Sequence, residues 1–256
     1  MTRMILTDLD HTLLRQDGSV SAFTLETIEK CRAKGIRFAI ATARYWIGAE
    51  TYIRMLRPDY EITTDGTLIH ENGRCVYSCS FTEIETNGII RGILSALPRA
   101  EITVAAGKTV YWNSAHIAES EKLHKAVYCD YGAEMAVRAN KIVAELPEEG
   151  IARGIADAMG CKLQAYRGEN WYAFLPKEAG KLAAIRALTG ISGIPAEAIA
   201  AFGDDDNDLE MLKNCGLGVA VANAVPRVLA MADAVTRSND EDGVARWLAA
   251  HCLMEG

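Results

Sequence analysis

Three short apolar runs, each stopping abruptly at a polar or acidic cluster, constrain this chain more than any other feature. Met4–Thr7 stops at Asp8, Ile36–Ala41 stops at Thr42, and Ile199–Phe202 stops at Gly203-Asp204. Short runs without polar alternation read as strands buried on both faces, the habit of parallel sheets. Helical patterns lie between them. Ser21 is placed to N-cap a helix carrying Phe23, Leu25, Ile28 and Cys31, and Gly35 to close it. Trp46–Leu56 is helical up to the break before Pro58, Tyr60–Thr64 is a further strand, and Asn72-Gly73 marks a hairpin between Thr67–Ile69 and Arg74–Tyr77.

The alternation returns near the C-terminus. Lys181–Leu188, Leu209–Lys213, Val225–Met231 and Val244–Ala250 read as helices, with strands at Leu217–Val221 and Ala234–Thr236. Such a pattern predicts an α/β fold with a central parallel sheet joined by right-handed crossovers. The middle differs. Helical patterns at Glu83–Leu97 and Glu148–Met159 are mixed with strands at Ile102–Ala105, Thr109–Trp112, Lys141–Glu145, Cys161–Tyr166 and Trp171–Leu175, an α+β module. The expected organisation is a core in two parts, 1–81 and 177–256, interrupted by an inserted domain over 82–176.

Composition narrows the class of function. With 50% hydrophobic residues among 256, the chain has enough apolar material for a core without metal or disulfide staples. The formal charge of -7 disfavours general nucleic-acid binding, which shows a basic face. The 7 cysteines are scattered, without zinc spacing, and read as reduced thiols. His116 and His124 have no metal-ligand partner at a suitable spacing. Early charge at the N-terminus argues against a secretory signal, and the smoothest apolar stretch, Cys215–Ala234, is broken by Asn223, Pro226, Arg227 and Asp233. The expectation is a cytoplasmic enzyme with no membrane partner.

Four segments carry chemistry. In Thr7-Asp8-Leu9-Asp10, two carboxylates leave a strand at the edge where open α/β sheets bind ligands; one can act as nucleophile and the other as acid and base, although Asp-x-Asp alone also describes a solvated turn. In Thr42-Ala43-Arg44, a hydroxyl and free N–H groups at a helix start offer an oxyanion seat, or Thr42 simply caps the helix. Lys181 begins a helix, where the dipole disfavours a cation; it either holds an anion or is a solvated surface lysine, and Lys177 is its rival. In Gly203-Asp204-Asp205-Asp206-Asn207-Asp208, four carboxylates in close succession call for a cation, and hard oxygen ligands at a strand end favour Mg²⁺. The spacing does not fit a calcium EF-hand loop.

The segments TDLDHTLL, AIATAR, PKEAGK and FGDDDNDLEMLK, with GVAVANAV and SNDEDGVARWL, resemble in order and content the haloacid dehalogenase superfamily, in its Cof-type sugar-phosphatase-like branch. The resemblance implies a Rossmann-like core with an inserted α+β cap of the C2 (type IIB) kind. It implies Asp8 as nucleophile and Asp10 as general acid and base. Mg²⁺ would be held by Asp8, the Asp10 backbone carbonyl and Asp204, supported by Asp208. Leu9, Thr42, Ala43, Lys181 and Asn207 would contact phosphate. The implied activity is Mg²⁺-dependent hydrolysis of a small phosphorylated metabolite, a sugar or polyol phosphate, through an aspartyl phosphate. A phosphomutase of the same fold is the alternative, and a receiver-like phosphate switch a more distant one.

Two departures from the family pattern bear on substrate: Ala43 stands where Gly is usual, and Asp65 where the pattern has Asn before Gly66. Arg44 and Asp65 are therefore candidate substrate contacts, with Asp65 also readable as a plain turn residue. Within the inserted domain the candidates are Trp112, Asn113, His116, Tyr128, Arg138, Arg167, Asn170 and Trp171.

Overall fold

A computed structural model of the protein describes residues 2–119, 125–166 and 168–253. The first part of the chain runs β1 (Met4–Thr7), α1 (Ala22–Ala33), β2 (Arg37–Ala41), α2 (Trp46–Leu56), β3 (Tyr60–Thr63), β4 (Leu68–Glu71) and β5 (Arg74–Ser78). Then come α3 (Glu83–Ala96), β6 (Ile102–Ala106), β7 (Thr109–Trp112), β8 (Val127–Tyr128), β9 (Lys141–Glu145), α4 (Glu149–Met159), β10 (Lys162–Ala165) and β11 (Trp171–Leu175). The last part contains α5 (Lys181–Ser192), β12 (Ile199–Gly203), α6 (Leu209–Asn214), β13 (Leu217–Ala220), α7 (Pro226–Met231), β14 (Ala234–Val235) and α8 (Gly243–Leu248). His124 and Arg167 lie outside the described residues.

The chain divides into two compact units: residues up to 43, 52–76 and from 180 onward form one, and residues 44–51 with 77–179 form the other. The first unit is built on a sheet of order β14-β13-β12-β1-β2-β3-β4-β5, with neighbours parallel from β14 to β3. β4 then returns antiparallel to β3. The apolar runs that announced the strands are buried outright: Ile5, Leu6, Phe38, Ile40 and Phe202 are each 0% exposed. Each such side chain contributes about 1.5–3 kcal/mol by leaving water, against the entropy of ordering it. α1 begins as its sequence dictates, with the Ser21 hydroxyl accepting the Thr24 N–H at 3.0 Å, and ends at Gly35 with φ 78°. Asn72 and Gly73 both adopt positive φ, the geometry of a tight hairpin turn, between β4 and β5.

The second unit has a sheet of order β10-β11-β9-β6-β7-β8. Alternation sorts its faces. Ile102, Val104, Ile142, Ala144, Tyr172 and Phe174 join Ile89, Ile93, Ala152 and Ala156 of α3 and α4 in one buried cluster. A capping box between Thr82 and Glu85 starts α3. Residues 44–51, which the sequence reading gave to the core, belong to this unit. Tyr45 shares a 2.7 Å hydrogen bond with the Thr103 hydroxyl, and Lys108 sits over the Trp46 ring at 4.1 Å. The edge strand β8 was not foreseen, because two exposed residues carry no periodicity. Among the described residues, no helix is long and apolar enough to cross a membrane.

The turn from β3 to β4 is unusual. Thr64, Asp65 and Gly66 have φ of 56°, 56° and 81° in succession, which ends β3 one residue earlier than the apolar pattern indicates. Gly66 has no room for a side chain: a Cβ there would lie 2.5 Å from the carbonyl oxygen of Gly180. Gly35 has nearly the same φ but nothing within 4 Å of a built Cβ. Chemical denaturation of the two alanine variants separates the two costs. Gly35→Ala is expected to lose about 1 kcal/mol from left-handed backbone alone, whereas Gly66→Ala loses at least about 3 kcal/mol because the clash adds to it.

Candidate active site

Strand register assembles the site. Thr7 of β1 pairs with Phe202 of β12 on one side and Ile40 of β2 on the other. The residues just past those positions therefore emerge together at the C-terminal edge of the sheet: Asp8 after β1, Thr42 after β2 and Asp204 after β12. The Asp8 N–H still bonds to the Phe202 carbonyl at 3.0 Å, so this carboxylate leaves from the last rung of the ladder. Asp10 follows in a wide turn, Leu9–Leu13, closed by the Leu14 N–H on the Leu9 carbonyl at 2.8 Å. Inside it Asp10 is extended and His11 left-handed, a local departure of the kind found at functional sites.

Lys181 is the centre of the arrangement. It lies on the first turn of α5, only 4% exposed, and its Nζ donates to Asp8 Oδ1 at 2.7 Å and to Asp208 Oδ1. Asp208 Oδ2 accepts the N–H groups of Asp204 and Asp205 at 3.0 and 3.2 Å, so both oxygens of this carboxylate are engaged. Gly203 permits the close approach, since a Cβ there would meet the Asp208 side chain at 2.5 Å. The Thr12 hydroxyl donates to Asp204 Oδ1 at 2.6 Å. Oxygens of Asp8, Asp204 and Asp208 lie within 4.8 Å of one another.

Three carboxylates thus cluster where one ammonium bonds two of them. Burial pushes the Asp8 carboxyl well above its ordinary pKa; Asp208 and Asp204 add to the rise and Lys181 opposes it. Asp204 is pushed up to about 6, first by burial, with Thr12 opposing and Asp208 adding. Burial alone would lower the Lys181 pKa, but Asp208 and Asp8 more than offset it and hold the ammonium charged. An excess of buried negative charge with hard oxygen donors is the environment a divalent cation such as Mg²⁺ neutralises. Asp8 and Asp204 fit direct ligation. Asp208, bonded by Lys181 and two amides, fits a supporting role.

The other expected residues fall as follows. Thr42 is 1% exposed, but α2 starts only at Trp46, so Thr42 lies on a loop and not at a helix start. Its backbone is consumed across the sheet: its N–H donates to Ile62 at 2.9 Å and its carbonyl accepts the Asp65 N–H at 3.3 Å. Ala43 follows, half-buried. Asp65 is 5% exposed. Asn207 is exposed, as are Asp205 and Asp206, so only the first and last acids of the cluster turn inward. Lys177 is exposed and does not compete with Lys181.

Arg44 belongs to the second unit, where its Nη1 donates to the Gly48 carbonyl at 3.1 Å. In that unit Asn113 is a brace, its side chain joining Ile102 N–H at 2.7 Å and the Ala100 carbonyl at 2.8 Å. His116 pairs with Glu119 at the surface, Tyr128, Arg138 and Asn170 are exposed, and Trp171 is half-buried. Trp112 is buried, with an indole N–H that lacks a hydrogen-bond partner. Two residues escaped the sequence reading. Thr12 sits inside the first motif, and a hydroxyl four positions after the first Asp is the signal that marks it. Lys141 is 2% exposed, with its ammonium 5.1 Å from the Tyr45 ring and 5.4 Å from the Tyr166 ring; within an apolar strand it gives no sequence signal beyond its charge.

Comparison with known proteins gives the family and the fold. A family model for haloacid dehalogenase-like hydrolases matches residues 5–248. The 5-amino-6-(5-phospho-D-ribitylamino)uracil phosphatase of Bacillus subtilis is 24% identical over 263 residues, 96% of either chain. A phosphoglycolate phosphatase of Natronomonas pharaonis is 29% identical over 248 residues, 95% of either chain. Among solved structures, a haloacid dehalogenase-like hydrolase from Bacteroides thetaiotaomicron superposes with a TM-score of 0.83 at 22% identity, over 98% of this chain and 99% of the other. A sugar phosphatase of HAD subclass IIB does so with 0.82 at 21%, over 99% and 100%. With a family model matched from residue 5 to residue 248, the chain belongs to the haloacid dehalogenase-like hydrolases.

Proposed function

We propose that this protein is a magnesium-dependent phosphatase of small phosphomonoesters, with a sugar or polyol phosphate as the expected substrate. The observation that carries the reading is the convergence of Asp8, Asp204 and Asp208 within 4.8 Å around the buried Lys181. Family membership and phosphatase relatives matched along nearly their whole length support the reaction class. Those two relatives act, by name, on a phosphoribitylamino-uracil and on phosphoglycolate, both small phosphomonoesters.

In this reading an Asp8 carboxylate oxygen attacks phosphorus. The bond from phosphorus to the ester oxygen breaks, and Asp10 gives that oxygen its proton. Asp10 then takes a proton from water, whose oxygen attacks the aspartyl phosphate. The phosphorus–Asp8 bond breaks, inorganic phosphate leaves, and both carboxyls return to their starting state. Lys181, Thr42, Asn207 and the N–H groups of Leu9 and Ala43 hold the phosphoryl oxygens as charge shifts among them. Asp8, Asp204 and the Asp10 carbonyl would hold Mg²⁺, with Asp208 behind them; bound there, the cation supplies the positive charge that lets a carboxylate approach a phosphate dianion.

Phosphate release over a panel of phosphometabolites is expected to require Mg²⁺ and to fall roughly a thousandfold or more in Asp8→Asn, the scale seen when a covalent nucleophile is removed. Full turnover in that variant would eliminate the aspartyl-phosphate route. A second expectation follows from protonation. Asp204, and Asp8 with it, takes up protons more readily in the fold than in an unfolded chain. The metal-free protein therefore loses stability as pH rises from the ordinary carboxylate range through about 6, while below it the protons themselves neutralise the site. Mg²⁺ must displace those protons. Thermal melts should show a larger Mg²⁺-induced rise in Tm at pH about 7.5 than at pH about 5, with the rise lost in Asp204→Asn. An equal rise at both pH values would contradict the assignment of these carboxylates to the metal.

A further inference from the structure

The turn that carries Asp10 is held from outside by a segment far away in sequence. Asn223 Nδ2 donates to the carbonyl of His11 at 2.7 Å, at the one left-handed residue of the turn, φ 58°. The Oδ1 of the same amide accepts the backbone N–H of Asn239 at 2.9 Å. Asn239, 4% exposed, uses its own Nδ2 on the carbonyl of Leu14 at 2.9 Å. The contacts continue outward: Asp240 accepts the Gln16 N–H at 2.8 Å, and Asp242 takes Arg15 through two guanidinium nitrogens at 2.9 to 3.2 Å. The Asn223 segment is itself tied to the metal edge, because the Val225 N–H donates to the Asp204 carbonyl at 2.9 Å.

We infer that Asn223 and Asn239 are positioning residues, an amide relay that fixes the Leu9–Leu14 turn and so sets where Asp10 delivers its proton. A carbonyl beside a left-handed residue has no ladder partner to hold it, and a wide turn with non-helical backbone inside holds its shape poorly by itself. Side-chain amides suit the task because one group both donates and accepts, so the middle of the turn at His11 and its far end at Leu14 are both bonded and the two bonds are linked. The relay touches neither the Asp8 nor the Lys181 side chain. Its effect falls on the acid, with the nucleophile held separately by its own lysine and by the Phe202 rung. This inference rests on the reading of Asp10 as general acid.

Leaving-group dependence tests it, since an alkoxide needs a proton to depart and p-nitrophenolate does not. Asn223 is exposed, so its truncation is expected to leave the fold intact, which a thermal melt verifies. Asn223→Asp keeps the acceptor for Asn239 but replaces the donor to His11 with a carboxylate oxygen. In both Asn223→Ala and Asn223→Asp, kcat/KM for an alkyl phosphate should fall about tenfold or more while that for p-nitrophenyl phosphate falls less than about threefold, the mark of a misplaced acid. An equal fall on both esters, or none on either, overturns the relay as a device for Asp10. Wild-type protein that hydrolyses neither ester with Mg²⁺ present instead overturns the phosphatase reading, and the relay's role with it.

Discussion

One buried ammonium organises this protein's chemistry. Lys181 bonds Asp8, which is 173 positions away in sequence, and Asp208, which is 27 away. Taking these groups out of water carries a desolvation cost of several kcal/mol per ion, and such a group survives in a fold only when its bonds are complete. Here they are made complete by geometry. The lysine bridges two carboxylates, and the far side of Asp208 is filled by the Asp204 and Asp205 amides. The same contacts that make the lysine tolerable fix the nucleophile candidate, the metal-edge loop and the start of α5 against one another.

The sheet supplies the rigidity behind that arrangement. Parallel strands in register bring Asp8, Thr42 and Asp204 out at one edge, and a shift of one residue along β1 would turn Asp8 away from its partners. Departures from ordinary backbone gather at the same edge. His11 after β1, and Thr64 and Asp65 after β3, all have positive φ. Thr64 is the most telling, because a β-branched residue there is strained; it is also fully buried, with a hydroxyl that has no hydrogen-bond partner. The turn is held by its neighbours: the Asp65 N–H on Thr42 and Gly66 packed against Gly180.

Much of this was legible in the order of residues. The short apolar runs became the strands, and the helical pattern at Glu83–Ala96 the helix, that their period indicated, because burial and period are local properties that tertiary context reinforced at Met4–Thr7 and Ile199–Gly203. The edge strand β8, two exposed residues long, was not legible. At Thr42 the local pattern leaves the role open. A hydroxyl ahead of a helical pattern resembles a cap, and only the neighbouring strand explains why its N–H goes to Ile62. The acidic cluster at 204–208 pointed to a cation without showing which of its members turn inward.

The sequence by itself determined the architecture and the chemical inventory: an α/β core with an α+β insert, acids at strand ends, and a lysine at a helix start. These follow from hydrophobic period and from residue type, which need no partner to be read. Tertiary structure alone decided that Thr12 braces Asp204 and that Asn223 and Asn239 reach the Asp10 turn. Those choices depend on distances between segments separated by most of the chain, and such distances exist only once the strands have taken their register.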